Sequence, residues 1–256
     1  MQYQTLSYVE ADGLGVITLN RPDVMNALNR QMRLELLAAV TGAGGSARVL
    51  VLTGQGRAFC SGQDLADGGA ATDLERTLRE EYEPLLRAIY DCPIPTISAV
   101  NGAAAGAGAN LALAADVVIA AHSASFIQAF TRIGLLPDAG GTYWLPRQVG
   151  FPRAMGAALF ADKISSVQAA DWGMIYECVA DADFSAHWRA RALGLASGPT
   201  VAYRHLKTAL RASYGNDLVT QLALEARLQA ECGASADFHE GVTAFLQKRP
   251  ARFQGQ

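Results

Sequence analysis

The chain has 256 residues, half of them apolar and 18% charged. Such a composition excludes global disorder and suits one large domain, or one domain with an appendage. Lys and Arg number 21 against 24 Asp and Glu, a net charge of −3, which gives no electrostatic case for nucleic acid or an anionic membrane as the main partner.

In chain order, residues 5–20 predict two short strands around a turn at Asp12-Gly13, closed by Asn20-Arg21-Pro22. Asn29 precedes a helical pattern carrying Met32, Leu36, Leu37 and Val40, which the glycines at 42, 44 and 45 stop. Val49-Leu50-Val51-Leu52 is a continuous apolar run, as in a strand covered on both faces. Residues 54–69 predict a loop with five glycines, and 72–90 a long helix despite Pro84. The theme then repeats: a strand over 95–100, a small-residue turn over 101–108, a helix to about 115 and a strand over 117–120. This alternation predicts an α/β fold, and no phosphate-binding glycine motif follows any of these strands. Beyond residue 140 the pattern is mostly helical. Its last part predicts three helices, Thr200–Ala212, Asp217–Ala230 and Ala236–Gln247, able to pack on this chain or on another subunit. The apolar stretch 103–121 is broken by Gly106, Gly108, Asn110 and Asp116 and predicts buried loop, helix and strand, with no membrane span. The N-terminus lacks a signal-peptide pattern, so a cytoplasmic location is expected.

Two small-residue loops follow apolar strands. One is Arg57-Ala58-Phe59-Cys60-Ser61-Gly62-Gln63-Asp64-Leu65; the other runs from Asn101 to Asn110 and opens a helix. Glycine and alanine let backbone approach a ligand closely, and the first N–H groups of a helix lack internal partners. One N–H from each loop could converge on an oxygen that becomes anionic; equally, the small residues could serve only tight packing. Asp138 stands before Gly140-Gly141 in an apolar stretch. It reads either as a helix cap or as a proton-transfer carboxylate tuned by desolvation. The four cysteines, 60, 92, 178 and 232, form no CxxC pair, and the histidines, 122, 187, 205 and 239, show no ligand spacing. Neither a metal site nor a disulfide framework is expected. Cys60 reads as a packed thiol, and Asp64 as a brace for its own loop.

FCSGQDL, PTISAVNGAAAGAGANLALAADVVIA and IGLLPDAGGTYWLPRQVG resemble the enoyl-CoA hydratase/isomerase (crotonase) superfamily. The likeness runs from LNRPDVMNALN to DFHEGVTAFLQKRP. It implies a spiral of ββα turns over about 1–196, a helical region over 197–256 for oligomerisation and site closure, and trimers that can pair into hexamers. It implies acyl-CoA thioester substrates, no separate cofactor, and an enolate held by the Gln63 and Ala107 N–H groups. By the same motifs Met25, Ala27, Leu28, Ser61, Gly62, Asp64, Gly106 and Phe130 fall at the CoA and substrate site. Phe245 and Lys248 match positions that reach CoA from a neighbouring subunit, although Lys248 also suits a solvated helix end.

One departure stands out. The two glutamates with which hydratases of this superfamily activate water align with Asn110 and Phe130. An amide cannot take a proton as a carboxylate does, and a phenyl ring cannot order water. FIQAFTRIGLLPDAGGTYWLPR, RAMGAALF and AADWGMIYECV most resemble the ring-1,2-epoxyphenylacetyl-CoA isomerases of phenylacetate catabolism. There the aspartate of the PDxGG motif, here Asp138, is the acid–base group. That resemblance implies rearrangement of a ring epoxide to an oxepin thioester, or a double-bond shift from the 3- to the 2-position. The alternatives are a hydratase with a rearranged acid–base set and a thioester-binding pseudoenzyme.

Overall fold

The computed structural model describes residues 3–43, 45–67 and 73–256. Strands β1 (Leu6–Ala11) and β2 (Leu14–Leu19) form a hairpin through Asp12-Gly13, as predicted, with both turn residues at positive φ. Helix α1 (Arg30–Ala43) follows, and the Asn29 side chain caps it by accepting from the Met32 N–H at 2.9 Å. β3 (Val49–Gly54) is buried on both faces through Leu52. The predicted loop over 54–69 contains a further strand, β4 (Ala58–Cys60). Gly68, Gly69 and Thr72 lie outside the described residues.

The predicted long helix is α2 (Leu74–Thr77), a π-turn (Leu78–Tyr82) and α3 (Glu83–Tyr90) in direct succession. The Glu83 N–H reaches back to the Leu78 carbonyl. That widening displaces the hydrogen-bond ladder just ahead of Pro84, where an amide donor is missing. Next come β5 (Thr96–Val100), β6 (Ala103–Ala105), α4 (Ala107–Leu113), β7 (Val117–Ala121) and β8 (Ser125–Ile127). β6 lies inside what reads as a turn. α5 (Gly141–Val149), α6 (Phe151–Phe160), β9 (Ile164–Ser165), α7 (Ser166–Asp171), β10 (Glu177–Val179) and α8 (Phe184–Ala196) complete the body.

The strands form two sheets. The larger has the order β1-β2-β3-β5-β7-β10 and is parallel from β2 onward; the smaller has the order β4-β6-β8-β9. Each long strand hands the chain to a short one, β3 to β4, β5 to β6 and β7 to β8, before the chain returns. This is the ββα spiral. Its core is apolar, with Ile17, Leu19, Leu28, Met32, Leu36, Val49, Val51, Phe59 and Phe126 fully enclosed. The fold class is α/β, with the ββα spiral that the resemblance implies.

The last helices, α9 (Thr200–Ala212), α10 (Leu218–Gly233) and α11 (Ala236–Leu246), match the predicted trio. Lys207 of α9 donates to the carbonyls of Cys92 and Ile94 at 2.7 Å each and pairs with Asp116, as does Arg211. These contacts tie α9 to the spiral. Among the described residues no helix is long and apolar enough to cross a membrane.

Candidate active site

The two small-residue loops are neighbours because the strands that feed them are neighbours. β4 and β6 run parallel, with Ala58 opposite Ala103 and Cys60 opposite Ala104. Their C-terminal exits therefore share one edge. Gly62 has φ +93°, and a Cβ there would stand 2.7 Å from the Ala105 carbonyl oxygen and 3.3 Å from the Ala107 nitrogen. Only glycine fits. On its other side the loop pairs with the stretch before α1. The Leu28 N–H donates to the Gly62 carbonyl at 2.8 Å, the Asp64 N–H to the Leu28 carbonyl at 3.2 Å and the Ser61 N–H to the Met25 carbonyl at 3.0 Å. In a parallel bridge of this kind, Leu28 opposite Gln63, both bonds belong to Leu28, so the Gln63 N–H points the other way. Ala107 is the first residue of α4, where an N–H has no partner within the helix.

The structure thus brings Met25, Ala27, Leu28, Ser61, Gly62, Gln63, Asp64, Gly106 and Ala107 together. Asp64 braces its loop, accepting from Arg21 Nη1 at 2.8 Å and from the Ala66 N–H at 3.1 Å. Cys60 is enclosed and gives its thiol hydrogen to the Asn26 carbonyl at 3.1 Å; burial pushes its pKa up to about 12, a packed thiol and no nucleophile. Phe130 is buried, and its Cζ lies 3.9 Å from where a Cβ on Gly106 would be, beside the second loop.

Asp138 does not cap α5. The cap position is Gly140, without a side-chain bond, and the Gly141 N–H takes the main-chain carbonyl of Asp138 at 2.8 Å. The carboxylate is free of that duty. Its Oδ1 is buried without a hydrogen-bond partner, and desolvation raises its pKa from 3.8 to about 6. It lines a cavity of about 710 Å³ between the helical run 78–91 and the turn 136–144. Tyr82, Leu86, Tyr90, Leu136, Tyr143 and Trp144 supply its apolar walls. Tyr143 and Trp144 meet edge to face at 4.7 Å, and Tyr90 lies 5.5 Å from Trp144. Arg211 and Arg147 back the rings, 3.9 Å above Tyr90 and 3.7 Å above Tyr143. The other carboxylates of this cavity, Glu83 and Asp91, are exposed and face Arg87 at 3.8 and 4.0 Å.

Asn110 is fully buried and spent on structure. Its Nδ2 donates to the Asp138 carbonyl at 2.7 Å, and its Oδ1 accepts from Gln128 Nε2 at 2.8 Å. It ties α4, which begins at Ala107, to the turn that carries Asp138. Phe245, 82% exposed, and Lys248, at the end of α11, do not reach this cavity within one chain. Phe245 instead lines a larger apolar groove of about 1080 Å³ between α9, α10 and α11, and no other predicted site residue lines it. Among the described residues no three His, Cys, Asp or Glu side chains gather as a metal site would need.

Sequence reasoning missed two kinds of residue. Asn26, at φ 56°, is enclosed and pins the first loop, donating to the carbonyls of Gln55, Ala58 and Phe59 at 2.9–3.2 Å. An asparagine beside a turn is the signal that could have found it. Arg33 and Tyr82 hold the Gln63 side chain, and Glu81 pairs with Arg33 behind it. The signal for Arg33 is a charge on the apolar face of α1, whereas its partner lies 48 residues away.

A spiral of this kind, with paired loops and a half-buried carboxylate, belongs to a class of enzymes, and comparison with known proteins fixes which. Residues 10–256 match the family model described as Enoyl-CoA hydratase/isomerase. The chain belongs to that family. It is 66% identical to a Rhodobacter capsulatus protein named "Probable enoyl-CoA hydratase", over the whole of both chains. It is 45% identical to the 1,2-epoxyphenylacetyl-CoA isomerase of Escherichia coli, over 98% of each. The crystal structure of an enoyl-CoA hydratase from Bacillus anthracis superposes with a TM-score of 0.92 at 32% identity, covering 99% of this chain and 100% of that one.

Proposed function

We propose that this chain is an acyl-CoA isomerase. The thioester carbonyl accepts hydrogen bonds from the Gln63 and Ala107 N–H groups, which receive the charge as the enolate forms. Asp138 takes a proton from the carbon beside that carbonyl and returns it elsewhere on the acyl group. With a 3-enoyl-CoA the proton leaves C2 and returns at C4, moving the double bond to the 2-position. With ring-1,2-epoxyphenylacetyl-CoA the same first step leads to the oxepin thioester. No cofactor or metal enters this scheme. The observation that carries the reading is a single half-buried carboxylate in the cavity with an enclosed, unpaired Oδ1, and the two positions that align with the hydratase glutamates held by a structurally committed amide, Asn110, and a phenyl ring, Phe130. The aromatic walls suit a ring-bearing acyl group.

Self-association as a trimer, or two trimers, accompanies this reading. The exposed apolar residues Phe151, Met155, Leu159 and Phe160 of α6 support it, and Phe245 and Lys248 would then serve a neighbouring chain's CoA. The name of the 66% relative favours hydration instead. An assay with the ring epoxide, a 3-enoyl-CoA and crotonyl-CoA decides between the two. Isomers are expected from the first two and negligible 3-hydroxybutyryl-CoA from the third; rapid hydration of crotonyl-CoA would overturn the proposal.

A further inference from the structure

The side chain of Gln63 is held at both ends. Its Oε1 accepts from Arg33 Nη1 at 2.9 Å and from the Tyr82 hydroxyl at 2.7 Å, and its Nε2 donates to the Asp64 carbonyl at 3.0 Å. Arg33 Nη1 also holds the Leu28 carbonyl at 2.7 Å, the oxygen that accepts from the Asp64 N–H. The guanidinium is 1% exposed and pairs with Glu81, 4% exposed, through Nη2 at 2.6 Å and Nε at 2.9 Å. The π-turn carries Glu81 and Tyr82 inward together, one to the guanidinium and the other to the amide. Burial raises the Tyr82 phenol well above its ordinary value, so it stays a donor at working pH. Tyr82 also lines the Asp138 cavity.

Enclosing an ion pair is costly, and an apolar replacement often does as well for stability. What this arrangement supplies is a fixed place for one peptide. We propose that Arg33, Glu81 and Tyr82 are positioning residues that hold the Gln63 N–H at the thioester oxygen, with Tyr82 linking that loop to the wall of the proton-transfer cavity. This rests on reading the Gln63 N–H as an oxyanion donor. The logic is that of a preorganised donor, whose value falls when its support loosens by a fraction of an ångström.

The test uses the full-length protein with carbonyl-labelled phenylacetyl-CoA, a thioester without the epoxide, and reads the carbonyl stretch by difference infrared spectroscopy. The bound wild-type band is expected below its solution position. Tyr82→Phe, which keeps the ring, and Arg33→Lys, which keeps the charge but loses the fork, are expected to return the band part-way toward solution. Each should lower kcat on a 3-enoyl-CoA about tenfold, with KM within about twofold. Asp138→Asn should abolish turnover and leave the band shifted. A wild-type band at its solution position refutes the oxyanion reading and this inference with it. A shifted wild-type band, untouched in folded Tyr82→Phe and Arg33→Lys and with kcat unchanged, refutes this inference alone.

Discussion

Asp138→Asn should make the protein inactive and more stable, and the gain should depend on pH. The carboxyl titrates at about 6 in the folded chain against an ordinary 3.8, because burial penalises its charged form. At about 1.4 kcal/mol for each tenfold change in ionisation constant, keeping it ionised at neutral pH costs the folded state about 3 kcal/mol. An acid with a raised folded pKa takes up its proton on folding between the two values. Stability therefore falls as pH rises from about 4 to about 6, and the penalty is complete above that. Asparagine is nearly the same shape and never ionises. The variant should match the wild type near pH 3.5 and exceed it by up to about 3 kcal/mol at pH 7.5, or roughly 6–12 °C in Tm for a chain of this size. Urea or thermal unfolding at fixed protein concentration, at both pH values, measures this. A variant no more stable at pH 7.5, or shifted equally at both, would refute the burial argument.

If Asp138 acts first as a base, kcat/KM on a 3-enoyl-CoA should rise about tenfold per pH unit below 6 and level off above 7. A rate that falls between pH 5 and 7 would contradict the role. Asn110→Leu should strand Gln128 Nε2 in the interior and leave the Asp138 carbonyl with the Gly141 N–H alone, lowering stability by about 1–3 kcal/mol in urea titrations. A loss below about 0.5 kcal/mol would mean that the tether is slack.

The parallel strands β3 and β5 were legible because each carries a run of buried, mostly apolar residues, Val49–Leu52 and Thr96–Val100. The second sheet, and β10 at the edge of the first, were not. β4, β6, β8, β9 and β10 have two or three residues each, too few to show a period of two, and they exist because other short strands or a sheet edge accept them. Asp138 was legible as a carboxylate in apolar company. Whether it capped a helix or faced a cavity depended on the turn, since the main-chain carbonyl meets Gly141 and the side chain does not. The π-turn had no local signature beyond Pro84, so the inward pairing of Glu81 with Arg33 was invisible from either partner.

β4 and β6 are only three residues each, but they decide where two loops end. Their ladder is made of peptide groups, which every residue except proline supplies, so an ordinary point substitution does not part them; an inserted or deleted residue would. In the family to which this chain belongs, chemistry should diverge by single replacements at places such as 110, 130 and 138. Alignment gaps should avoid 58–63 and 103–107. The positions of gaps among relatives would therefore record the constraint more plainly than the identities of the residues.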